Sequence, residues 1–257
     1  MSKNHIFFNF IGQEVALYVK KYYCKEFVKL ASYKSKQYKI ALEESFQKMD
    51  EMMKTEAGKK ELGQLSANQG EQSYAGCTAT TILITPNEIY CANAGDSRTV
   101  ACKGGQALAL SNDHKPDDPE ERKRIYNANG FVEDGRVNGM LALSRALGDF
   151  EYKSNPMFKA KDQAVTAHPD VKVIPMTNDI QYILLACDGL WDCMTNEEAI
   201  NHCNTKIYNN KFSKNNLKIN DLKKGVEDLV DACCASDISS SQGIGCDNIT
   251  ACIVEFK

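Results

Sequence analysis

The sequence is short of the features that announce several protein classes. It has four histidines and no Cys-x-x-Cys pair among its eleven cysteines, so the paired spacing of a zinc site is missing. The odd cysteine number, scattered through apolar runs at Cys91, Cys102, Cys187 and Cys252, argues against a disulfide framework and for buried free thiols in a reducing compartment. No stretch approaches the roughly 20 apolar residues of a membrane span. The opening MSKNHIFFNFIGQEV has one lysine, an apolar run broken by Asn9 and an early glutamate, a poor signal peptide. Positive charge is not in excess either: the net charge of -3 gives no field able to neutralise a phosphate backbone, which argues against nucleic acid as main partner. These absences predict a soluble monomer of the cytoplasm and/or nucleus. They also make Asn248-Ile249-Thr250 a strand fragment and not a glycan site.

What is present suits a single domain over residues 1–257, since 257 residues at 43% hydrophobic can bury a sizeable core. In the helical segment from Gly12 to Met53, Val15, Tyr18, Val19 and Tyr22, then Ala41, Leu42, Phe46 and Met49, recur at helical spacing. Two helices joined near Ser32 to Lys36 are predicted. Thr55 to Ser73 is polar and glycine-dotted and reads as a long loop or frayed helix end. The β-rich runs CTATTILIT, EIYCANAGD, RTVACKGG and QALALSND follow, separated by turn signals, and predict an antiparallel meander. A charged helix is predicted from Pro119 to Asn127 with Asp117 and Asp118 favouring its start. Strands are predicted at VKVIPM and QYILLACD, and a helix from Thr195 with Glu198 completing a capping box. Lysine- and asparagine-rich sequence fills Asn204 to Lys224, a helix spans Gly225 to Ala235, and the loop SDISSSQGIG leads to a last strand, NITACIVEF. Strands in runs and helices in runs point to α+β sheets covered by helices.

The chemistry concentrates in aspartates at strand ends. LLACDGLWDCMT, residues 184–195, delivers Asp188 and Asp192 from an apolar run around the only tryptophan, Trp191. A carboxylate taken out of water is costly unless paired, hydrogen-bonded or metal-bound. Ala94-Gly95-Asp96, Cys187-Asp188-Gly189 and Cys246-Asp247-Asn248 share one design, an aspartate beside glycine or asparagine at the edge of a β-rich run. Oxygen ligands of this kind suit Mg²⁺ or Mn²⁺, while the plainer alternative is that Asp-Gly makes turns. Metal-bound aspartates serve phosphoryl hydrolysis through an activated water. The rival covalent design needs an Asp-x-Asp nucleophile, and the sequence has none.

CTATTILI, ANAGDSR, DHKP, RVNGMLALSRALGDF, LLACDGLWD and CDNIT stand in the order found in the metal-dependent PP2C-like serine/threonine phosphatases, which the chain resembles from Gly76 to Phe256. The resemblance implies an α-β-β-α sandwich of two antiparallel sheets flanked by helices. It also implies hydrolysis of phosphoserine and phosphothreonine in phosphoprotein substrates by a hydroxide bridging two Mg²⁺ or Mn²⁺ ions, with a possible third ion. Carried over by position, Asp188 and Asp247 match direct ligands of one catalytic ion, and Asp96 and Asp192 match residues associated with the third. Thr78 matches a threonine near the metal cluster. Arg145 to Asp149 match a segment beside the cleft, with Arg145 either structural or substrate-facing. Ser97, Arg98, Asp113 and His114 are assigned to scaffold, and Trp191 to packing beneath the acids.

The same resemblance exposes a departure. Members of the family carry Asp-Gly-His-Gly-Gly just before the first helix, whereas Phe7-Phe8-Asn9-Phe10-Ile11 precedes Gly12. Phe8 stands where the aspartate bridging both ions belongs, and Phe10 where the histidine does. The first strands of the family, with a phosphate-binding arginine and an acidic tag, have no counterpart, which predicts an uncovered sheet edge or apolar face. The expectation is weakened metal binding at Asp188 and Asp247 and weak or absent activity, in a shortened product rather than a natural pseudophosphatase or a chain completed from elsewhere. The alternative function is a non-catalytic pseudophosphatase that binds a phosphoprotein or kinase.

Overall fold

The computed structural model describes residues 5–11, 13–66, 73–207 and 219–256. Strand β1 (His5–Ile11) precedes four helices, α1 (Gln13–Phe27), α2 (Ala31–Lys34), α3 (Tyr38–Lys54) and α4 (Glu56–Leu65). Four strands follow: β2 (Gly76–Ile84), β3 (Glu88–Ala94), β4 (Arg98–Lys103) and β5 (Gln106–Ala109). The middle of the chain holds α5 (Pro119–Asn127) and the short strands β6 (Val132–Glu133), β7 (Arg136–Val137) and β8 (Leu147–Gly148). Strands β9 (Asp170–Pro175) and β10 (Ile180–Ala186), helices α6 (Asp188–Trp191), α7 (Asn196–Lys206) and α8 (Ile219–Cys233), and β11 (Ala251–Glu255) complete it.

The strands divide into two main antiparallel sheets, one ordered β1-β2-β3-β9 with β8 on β2, the other β11-β10-β4-β5. Because side chains alternate along a strand, each sheet has two apolar faces to cover. From β2 and β3, Ala79, Leu83, Tyr90 and Ala92 join Val15, Val19, Phe27, Phe46, Met49 and Met53 of the first helices in one core. The intervening Ile82, Ile84, Ile89 and Cys91 meet Ala101, Ile183, Leu185 and Val254 of the other sheet. The outer face of that sheet, with Val100, Tyr182, Leu184 and Ala186, packs on Leu190, Trp191, Ile200, Cys203 and Leu229. Three cores between four layers make the α-β-β-α sandwich, with each fully buried large side chain contributing on the order of 2 kcal/mol.

The helix from Pro119 to Asn127 and the box at Thr195 form as predicted. Thr195 Oγ1 accepts from Glu198 N at 3.3 Å, and Thr195 N donates to Glu198 Oε2 at 2.8 Å. Four expectations need correction. Thr55 to Ser66 is not loop: Thr55 Oγ1 caps α4 by accepting from Gly58 N at 3.0 Å, and Leu62 is buried. Gly58, one of the glycines that dot this stretch, is what allows the approach, since a Cβ there would overlap the Met52 carbonyl. Residues 67–72 lie outside the described residues. The meander is split, because β2 and β3 lie in one sheet and β4 and β5 in the other. The chain changes sheet at Gly95, whose φ of +111° is cheap only for glycine. The stretch Asn248 to Thr250 stops one residue short of β11 and is loop. The helix predicted from Gly225 begins earlier, at Ile219; the preceding residues 208–218 lie outside the described residues. The predicted uncovered edge falls on β1, which pairs only with β2 among the described residues.

Candidate metal centre

Sheet register brings the acidic strand ends together. Ala186, the last residue of β10, pairs with Arg98 at the start of β4 and with Ala251 at the start of β11. Asp188 therefore leaves one strand at the end of the sandwich where Asp96 and Asp247 precede the other two. The facing sheet ends at the same place: Ala94 closes β3 opposite Ala79, and Ile11 closes β1 opposite Thr78. The sheets are tied there by a 2.8 Å hydrogen bond between the Thr78 and Ser97 hydroxyls, with a second at 2.7 Å between Thr80 and Thr99.

The two C-terminal acid loops lock onto each other through backbone and sulfur. Cys187 N donates to Thr250 O at 3.1 Å, and Thr250 N donates to Cys187 Sγ at 3.1 Å. A Cβ on Gly189 would come 2.5 Å from the Asn248 carbonyl, so this close approach requires glycine. The Asp96 turn is held by Asn93 Nδ2, which donates to the carbonyls of Gly95 at 3.0 Å and Asn112 at 3.1 Å.

Asp188 is half-buried, and its carboxyl is pushed up to about 6, first by burial, then by Asp96, with Asp247 and Asp192 adding to it. Its described hydrogen bond comes from the adjacent Gly189 N at 2.9 Å. Asp247 is exposed and accepts from Asn248 N at 2.6 Å. Asp192 is exposed. Asp96 is buried and ion-paired with Lys115 Nζ at 2.6 Å. Sequence reasoning missed Lys115, although the DHKP tag contains it, because a lysine 19 residues away carries no local sign of its partner.

The remaining candidates sit in the walls. Trp191 Nε1 donates to Ala186 O at 2.9 Å and Arg98 O at 3.2 Å, fastening α6 under the strand ends. Arg98 lies 5.2 Å over the indole and forks onto Asp113 with two 2.8 Å bonds. The Arg145 guanidinium turns inward to Glu121 at 2.5 Å and Asp170 at 2.7 Å, so its structural alternative matches its position. Thr78 is likewise occupied by Ser97.

Do these residues fit a hard cation? The donor chemistry is right, and the Asp188 carboxyl, raised first by burial and then by Asp96, Asp247 and Asp192, is a group whose charge a cation would stabilise. Yet among the described residues no three His, Cys, Asp or Glu converge closely enough to form a metal cluster. Positions 8 and 10, both phenylalanine, lie in the β1 ladder opposite Thr81 and Ala79, so neither position supplies an acid. The arrangement suits an ion held loosely by Asp188 and Asp247 and does not suit a bridged pair.

A family model for protein phosphatase 2C matches residues 4–241. The chain belongs to the protein phosphatase 2C family. It is 45% identical over 246 residues to "Probable protein phosphatase 2C 3" of Paramecium tetraurelia, covering 96% of this chain and 80% of that protein. It is 48% identical over 190 residues to "Protein phosphatase 2C homolog 3" of Schizosaccharomyces pombe, covering 74% of this chain and 43% of the relative. A solved Toxoplasma gondii phosphatase superposes with a TM-score of 0.74 at 23% identity, over 99% of this chain and 86% of its own; this supports the sandwich fold alone. As a protein phosphatase 2C relative the chain is placed among enzymes of phosphoproteins, for which Mg²⁺ or Mn²⁺ dependence and serine/threonine specificity are general properties. No helix among the described residues is long and apolar enough to cross a membrane.

Proposed function

We propose that this chain is a metal-dependent phosphatase for phosphoserine and phosphothreonine in proteins, with loosely held metal and low turnover. The observation that carries the reading is the placement of Asp96, Asp188 and Asp247 at the same end of the two facing sheets, where burial first and then the charge of Asp96 raise the Asp188 carboxyl. Asp188 and Asp247 would hold Mg²⁺ or Mn²⁺. When bound, such an ion activates water and neutralises phosphoryl oxygens. Asp188 supplies a carboxylate already partly removed from water, so ion binding there relieves repulsion from Asp96, Asp192 and Asp247. The Cys187–Thr250 bonds keep Asp188 and Asp247 on adjoining loops. Lys115 holds Asp96 in place and limits the negative charge available to a further ion.

The test is Mn²⁺-dependent release of phosphate from a phosphothreonine peptide, abolished in Asp188→Asn. The unbroken β1 ladder at Phe8 and Phe10 favours a second reading, a pseudophosphatase that binds phosphoprotein or kinase. Metal-independent binding of the same peptide without turnover would establish that reading and sink the first.

A further inference from the structure

Of the eleven free cysteines, two meet beside the acid loops. Cys193 follows Asp192 just after α6 and is half-buried; Cys233 ends α8 and is 5% exposed. Cys193 Sγ lies 3.3 Å from Gly189 O and 3.5 Å from Cys233 O, so the Cys193 thiol rests directly against the residue that carries the second one. Their neighbours point elsewhere. Cys187 Sγ is held by Thr250 N at 3.1 Å, Cys234 Sγ turns to Val230 O at 3.5 Å, and Cys246 Sγ meets Ser241 Oγ at 3.1 Å.

The position joins two parts of the site. Cys193 is one residue beyond the turn holding Asp188 and Asp192. From Cys233 the chain passes to Ala235, whose N–H donates to Gly245 O at 2.9 Å, two residues before Asp247. A bond between the sulfurs would tie the turn carrying Asp188 to the base of the loop carrying Asp247.

We propose that Cys193 and Cys233 are a redox pair that closes to a reversible disulfide under hydrogen peroxide and clamps the two acid loops together. The Cys193 thiol, the more accessible, reacts first: its sulfur forms a bond to one peroxide oxygen, the O–O bond breaks, and the other oxygen leaves as water. The Cys233 sulfur then attacks the resulting sulfenic acid. The S–O bond breaks, the S–S bond forms, and the hydroxyl leaves with the Cys233 proton as a second water. Two thiols are oxidised and one peroxide is reduced. A dithiol reductant reverses the bond by exchange. The effect on cation binding rests on the proposed function; the bond itself does not.

The full chain, metal-free and reduced, is treated with hydrogen peroxide, its remaining thiols blocked with N-ethylmaleimide, and digested without reductant. The expected result is one dominant cross-link between the Cys193 and Cys233 peptides, dissolved by dithiothreitol. In Cys193→Ser, a half-buried change that preserves folding, Cys233 should be recovered unlinked. Alkylation of both thiols under peroxide that oxidises the exposed Cys234 and Cys246, or a different dominant partner for Cys193, would overturn the pair. Calorimetry with Mn²⁺ on oxidised and reduced protein should then show a change of at least about threefold in affinity that Cys193→Ser abolishes. Equal affinities overturn the clamp. Failure of Mn²⁺ to bind either form counts against the proposed function while the mapped cross-link stands.

Discussion

Asp50 and Asp188 are both carboxylates withdrawn from water, and their surroundings are opposite. Asp50, on α3, accepts from Gly148 N at 2.9 Å and from Lys153 Nζ at 2.6 Å, and Lys153 also donates to Ala146 O at 2.7 Å. The two charged side chains are 4% and 3% exposed. Asp188 is raised first by its burial, and the charges that raise it further are those of other acids, Asp96, Asp247 and Asp192. The balanced site fastens the helix layer to the segment of residues 146–149. The unbalanced site has the charge pattern that a cation would complete. Burial of an acid therefore does not by itself mark function; the sign of its neighbours does.

The largest effect should come from breaking the balanced pair. Asp50→Ala leaves the Lys153 ammonium buried without its partner and should cost about 3–5 kcal/mol, read as a lower urea midpoint at unchanged m-value. Lys153→Met should cost a similar amount. The double variant should lose less than the sum of the singles, and simple additivity would mean that the charges do not act on each other.

Asp149, beside that pair, tests the contrast through pH. Its backbone is left-handed at φ +50°, and its carboxyl is pushed up to about 6, first by burial, with Asp50 and Glu151 raising it and Lys153 opposing them. The folded chain thus binds this proton more tightly than the unfolded chain. The associated stability is complete below the ordinary 3.8 and is lost as pH rises through about 6. Asp149→Asn, which tolerates the same backbone, should remove a pH-dependent loss on the order of 2 kcal/mol. Urea midpoints of both proteins at pH 4.5 and pH 7.5, set by buffer, measure it. Parallel declines in the two proteins would refute the assignment.

How far the sequence discloses this contrast depends on distance along the chain. The apolar strand ending in Asp188, the capping box at Thr195 and the acid tags are local patterns, so their elements and positions were readable. The sheet change at Gly95 was not, because alternation along a strand does not say which strand lies beside it. Helix α4 was hidden because Gly58 looks like a breaker until its contact with Met52 is known. The Asp50–Lys153 pair spans 103 residues, and Arg145 finds Glu121 and Asp170 at separations of 24 and 25. Neither partner advertises the other. The acids could be named from the sequence; which of them had cationic partners could not.

A smaller effect is expected at the unbalanced site. Neutralising Asp188 as Asn removes repulsion from Asp96, Asp247 and Asp192, so the metal-free protein should gain on the order of 1 kcal/mol, seen as a higher urea midpoint. The same change should remove any stabilisation that Mn²⁺ gives the parent chain, since a ligand stabilises only the state that binds it. Loss of stability without metal would instead make Asp188 a structural acid like Asp50.

The smallest effect concerns Lys115, the cation ion-paired with Asp96. Its ammonium is 43% exposed while Asp96 is 7% exposed, so the pair combines a screened partner with a buried one, and its net contribution lies toward the weak end of ion pairs. An ion approaching Asp96 must share the carboxylate with that ammonium or displace it. Lys115→Met removes the competitor and should strengthen Mn²⁺ binding by less than about tenfold, which is under ~1.4 kcal/mol. Calorimetry at low ionic strength gives the sign. If binding weakens instead, Lys115 acts by orienting Asp96, and the positive charge beside the acids supports ion binding rather than limiting it.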